Sequence, residues 1–135
     1  MHPHRSIASF CLLLVAACAA GPDDREGAGR GGGVVLQPGA QTFVGSGSFC
    51  TRPATIDETA VTRATPEWRE MERDSVREGS ARHSLLKTAM HQRVLAACRK
   101  AARQHGYDLV VRVGDIADSR GLAVEDLTAW VVGAL

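Results

Sequence analysis

Few residues in this chain have the types and spacing for chemistry. His83 and His91 are eight residues apart, and His105 follows near the end of the same helical pattern. Eight residues are a little over two α-helical turns, so the first two imidazoles only roughly share a face. A surface or packing role is the expectation for all three, in preference to a metal site. No C-x-x-C pair occurs, which removes the simplest redox and zinc arrangements. A nucleophile motif, a phosphate-binding glycine loop and a paired-carboxylate constellation are also missing from the sequence. Asp57-Glu58 and Glu125-Asp126 fall beside an expected strand end and helix start, where carboxylates are common caps. The chain therefore reads as a non-enzyme, with no catalytic residue, cofactor or metal.

The remaining chemistry is that of thiols and cations. Cys50 and Cys98 are available for one disulfide, which would stabilise the fold by about 2–4 kcal/mol if the geometry fits. The competing reading makes Cys98, in Leu95-Ala96-Ala97-Cys98, a small buried apolar residue. Residues 81–105 carry Arg82, Lys87, Arg93, Arg99, Lys100 and Arg103 and no acid. Arg82, Lys87 and Arg93 are the candidate contacts for a client protein or an anionic lipid. Residues 66–78 lean acidic, with Glu67, Glu70, Glu72, Asp74 and Glu78 against Arg69, Arg73 and Arg77. Antiparallel packing of the two segments would set opposite charges side by side. A plain solvated basic face is the third reading.

The composition sets the scale of the elements that must position these groups. At 135 residues the chain holds one small domain plus tails. A hydrophobic share of 44% with 23% charged residues is an ordinary globular balance. The net charge of +1 and the 4% aromatic content argue against a nucleic-acid-binding polycation or a base-stacking platform.

The first twenty residues, MHPHRSIASFCLLLVAACAA, have a short positive head and an apolar run from Ile7 to Ala17. This is the length of a signal-peptide core and too short for a membrane-spanning helix. The run ends in Val15-Ala16-Ala17-Cys18, which resembles the bacterial lipobox. The resemblance implies a signal peptide over 1–17, lipidation of Cys18 and, with Ala19 rather than Asp next, delivery to the periplasmic face of the outer membrane. Residues 18–33, Gly-rich and charged, read as a flexible tether between the anchor and the folded part.

Residues 34–53 read as an irregular segment with a potential edge strand, because Gly, Ser and Pro interrupt Val34-Val35-Leu36 and Thr42-Phe43-Val44. A short strand is expected at 54–57. Thr65 as N-cap, Pro66 at the first position and Glu67 in the first turn predict a helix over 66–78, stopped by Gly79. A second helix is expected from about Ala81 to His105, with Leu86, Met90, Val94, Cys98 and Ala101 forming one apolar stripe and Gly106 ending it. Two helices joined at Gly79-Ser80 make an antiparallel hairpin. Tyr107, Leu109, Val111 and Val113 alternate as a strand does, Asp115–Gly121 reads as a turn, and Leu122–Val124 as a short strand. Thr128 is placed to cap a last helix over 129–135 that buries Trp130, Val131 or Leu135. The order gives an α+β fold: a small β body, a short antiparallel helical hairpin and a C-terminal short helix.

Two stretches, Gly106-Tyr107-Asp108-Leu109-Val110 and Asp126-Leu127-Thr128-Ala129-Trp130-Val131, resemble the end of the Skp/OmpH family of periplasmic chaperones. In that family a long helix ends in a Gly-Tyr-Asp-like turn and enters a strand, and a D-[IL]-T motif opens a closing helix, matched here by Val131 and Leu135. Ile56-Asp57, Val61 and Pro66 look like the family's first strand and the start of its outgoing helix. The resemblance spans about residues 54–135. It implies a homotrimer whose β body projects helical arms around unfolded outer-membrane proteins, with no catalytic residue. An expected outgoing helix of about 13 residues, ~20 Å long, keeps a second reading open: a structural or adaptor lipoprotein of the envelope that does not act as a chaperone.

Overall fold

The computed structural model describes residues 32–135, in a mixed α+β arrangement of four α-helices and two small sheets. The expected signal peptide, the expected lipidation site Cys18 and the expected tether as far as residue 31 lie outside the described residues. The chain order is β1 (Val35–Leu36), β2 (Thr42–Val44), a 3-10 turn (Gly47–Phe49), β3 (Pro53–Ile56), α1 (Glu58–Ala64), α2 (Pro66–Arg73), α3 (Ala81–His105), β4 (Leu109–Arg112), β5 (Ile116–Asp118), β6 (Glu125–Asp126) and α4 (Thr128–Gly133).

The main sheet has the order β2-β4-β3-β6, and β1 pairs with β5 in a separate antiparallel ribbon. β3 and β4 are adjacent and parallel, in register from Pro53 opposite Leu109 to Ile56 opposite Arg112. Parallel neighbours need a long crossover, and α1, α2 and α3 together supply it. β6 joins the other side of β3, also in parallel, and β2 closes the opposite edge antiparallel to β4.

β4 is buried on both faces. Val110 packs with Ile56, Val61, Val94, Cys98 and the α4 residue Val131, while Leu109 and Val111 pack with Val34 and Cys50 on the reverse side. Period-two alternation along a strand puts these residues on opposite faces, and covering both faces makes the strand continuously apolar. Alternation thus placed Leu109 and Val111 together, but Val110 is as fully buried as they are. Residues 34–53 are built into this arrangement: Phe43 enters the helix-side core, and Val34 and Cys50 complete the second one. Gly33, expected as the end of the tether, is also buried, and a Cβ there would lie 1.7 Å from the Gly47 carbonyl oxygen.

Local sequence accounts for the helix starts. The Asp57 carboxylate accepts from Ala60 N at 3.0 Å and opens α1, a helix that the sequence reading did not include. Fully buried Thr65 joins α1 to α2: its hydroxyl donates to the Thr62 carbonyl at 2.7 Å and accepts from Trp68 N at 3.2 Å. Pro66 follows at the first position, where its missing N–H costs nothing. α2 stops at Arg73, short of the expected Glu78, because Ser75 takes a left-handed conformation (φ +46°) and Val76 N turns back to the Met71 carbonyl. α3 runs over its expected length, with Ser80 accepting from His83 N at 3.1 Å and Gly106 at φ +74° closing it.

The C-terminal third departs further. β5 lies within the expected turn, and the last strand is Glu125–Asp126 rather than Leu122–Val124. Thr128 does not cap α4. Its hydroxyl accepts from Asp57 N at 2.9 Å and donates to Asp126, which ties the end of β3 to the start of α4. Of the three residues expected to anchor that helix, Val131 is fully buried, Leu135 is half-buried and Trp130 is 58% exposed.

Candidate functional site

The candidate site lies along α2 and the first half of α3. The buried residues of α3 begin only at Val94, so residues 81–93 have no fully buried side chain and pack beside α2 outside the core. Ion pairs set the alignment. Glu67, near the start of α2, meets Arg93, while Glu70 and Asp74, farther along α2, both meet Arg82 near the start of α3. The two helices therefore run in opposite directions.

Glu67 is the anchored member. It is 8% exposed, and Arg93 Nε donates to its two carboxylate oxygens at 2.9 and 3.0 Å. This forked contact from Arg93 holds the Glu67 carboxyl below its usual range, against the opposing effect of burial. Two of the three candidate cations are therefore already engaged within the chain. The guanidinium groups still keep 55% of the Arg82 side chain and 42% of the Arg93 side chain exposed. Lys87 takes part in no ion pair among the described residues, and it lines a cleft between the helices.

That cleft has a volume of about 360 Å³. Trp68, Met71, Val76 and Met90 supply its apolar lining, and Glu72, Glu78, His83 and Lys87 its polar lining. Trp68 and Met71 are three residues apart on α2, and His83, Lys87 and Met90 follow at spacings of four and three on α3, so each set shares a helix face. Apolar spacing singles out Met90 within α3, but not its meeting with Trp68 and Met71. Their convergence depends on the tight 74–80 connection, which no periodicity shows. At the other end of α3, His105 stacks on Trp130 with ring centroids 4.1 Å apart, and Arg52 lies 4.8 Å over the Tyr107 ring.

The structure does not join Cys50 to Cys98 in the expected disulfide. Both thiols are free and buried, and they belong to the two cores on opposite sides of β4. The sheet stands between them. Burial, with a smaller contribution from Glu58, pushes the Cys98 thiol up to about 12. The three histidines are not gathered. Among the described residues, no group of three or more His, Cys, Asp or Glu side chains is placed to hold a metal ion. No described helix is long and apolar enough to cross a membrane. Comparison with protein-family models, curated proteins and solved structures gave no match.

Proposed function

We propose that this chain is a membrane-anchored Skp/OmpH-like holdase, lipidated at Cys18 on the periplasmic face of the outer membrane. In this reading it assembles as a homotrimer and binds unfolded outer-membrane proteins through its helical arm, without catalysis, cofactor or nucleic acid. One observation carries the reading. α2 and the first half of α3 stand outside the core as a helical excursion between two adjacent parallel strands, β3 and β4. A compact domain has no packing reason to extend α3 by thirteen residues before its first buried side chain. The partly exposed Arg82, Arg93 and Lys87 and the apolar cleft give that arm both charge and grease for an unfolded chain.

The test is aggregation of a urea-unfolded outer-membrane β-barrel diluted into buffer, followed by light scattering. A holdase suppresses the scattering at a few-fold molar excess. No protection at large excess overturns the proposal in favour of a structural or adaptor lipoprotein. The shortness of the arm favours that second reading: α2 has eight residues, and the free part of α3 reaches only ~20 Å at 1.5 Å per residue.

A further inference from the structure

The cleft between α2 and α3 gathers donors of one chemical character. Met71 brings a thioether from α2, Met90 brings a second from α3, and His83 brings an imidazole from the first turn of α3. Trp68 lines the same space. Thioether sulfur is a soft ligand that selects Cu(I) over oxygen-seeking ions, and imidazole binds copper as well. An indole face attracts a cation laid against it. We propose that this cleft is a site for one soft monovalent cation, Cu(I), held by Met71, Met90 and His83 with Trp68 beside the ion.

Burial, charge and side-chain flexibility support the fit. All four side chains are half-buried, so an ion can reach them without unfolding the domain, yet they are partly shielded from water. The charged lining is two carboxylates, Glu72 and Glu78, against the single ammonium of Lys87, a surplus of one negative charge. Methionine has three rotatable bonds, so donors on facing helices can close from a cleft of about 360 Å³ onto one ion. Among the described residues, His, Cys, Asp and Glu side chains form no competing group of three. The ion would add a further tie between α2 and α3 beside their ion pairs. The site is independent of the assembly proposed above.

The test is a titration of the detergent-solubilised full chain with Ag(I), the redox-inert analogue, and with Cu(I) under reductant. Trp130→Phe leaves Trp68 as the only reporter. The expected result is a change in Trp68 emission that saturates at one equivalent and is not produced by Zn²⁺. In Met71→Leu/Met90→Leu, a volume-conserving change that retains the fold by circular dichroism, affinity falls by about tenfold or more. His83→Gln weakens it in the same direction. Copper K-edge absorption is expected to show both sulfur and nitrogen neighbours, and to lose sulfur in the double variant. Unchanged Trp68 emission overturns the proposal. So does equal affinity in the double variant, since the chain's thiols would then be the ligands, and so does an equal response to Zn²⁺.

Discussion

Val110→Ala probes the burial of β4 on its helix side. Val110 is fully buried on the helix side, where Ile56, Val61 and Cys98 surround it. Removing two methyl groups loses about 1.6 kcal/mol at ~0.8 kcal/mol per group. The space left, about 50 Å³ at most, adds up to about 1.2 kcal/mol at ~24 cal/mol per Å³ where the surroundings do not collapse. The expected loss is therefore about 2–3 kcal/mol. At roughly 4–8 °C per kcal/mol for a domain of this size, the melting point falls by about 10–20 °C. Val113→Ala is the internal control. Val113 is 55% exposed just past the strand, and the change there costs within about 0.5 kcal/mol. Urea unfolding followed by circular dichroism separates the two cases, with the midpoint shifted and the slope unchanged. Equal midpoints for the two variants would refute the burial of Val110 beneath the helices. A midpoint loss at Val113 larger than at Val110 would place the core on the wrong side of the strand.

Two further outcomes follow from the electrostatics and the thiols. Arg93 holds the Glu67 carboxyl below its unfolded value, so the pair's stabilisation is present above the ordinary carboxylate range. It fades as pH falls through the lowered value. Glu67→Gln is expected to lower the melting point at pH 7 and to narrow its difference from the parent as pH falls toward 3; parallel pH profiles would show that the pair contributes nothing. Cys50 and Cys98 sit in separate cores, so neither is expected to react with an alkylating reagent until the domain unfolds. Recovery of a Cys50–Cys98 peptide cross-link from oxidised, folded protein would contradict the placement of the two cores.

How far the sequence revealed the fold depended on whether its signals were local. α3 was legible because its apolar spacing, the Ser80 cap and the Gly106 stop all lie within one stretch. α1 was missed because seven residues with Val61 as their only buried side chain carry almost no periodicity. β5 was hidden within turn-forming residues, since its pairing with β1 joins residues some eighty positions apart. The end of α2 was overestimated because helical composition continues past Arg73, while the left-handed Ser75 that ends it leaves no compositional mark. The site followed the same rule. Arg82, Lys87 and Arg93 were visible as cations, and the acidic lean of residues 66–78 pointed to their partners. Only the turn at 74–80 decides that Arg82 and Arg93 are paired and that Lys87 faces a methionine-lined cleft.

The solution mass of the protein lacking residues 1–18, measured by light scattering after gel filtration, tests the central claim most directly. About one hundred described residues with two small cores, and sheet edges at β2 and β6, suit a domain completed by partner subunits. The account predicts a stable trimer, about three times the protomer mass, at micromolar concentration. A monomer that stays folded and unassociated across that range would contradict the trimeric holdase and leave a single-chain adaptor on a lipid tether.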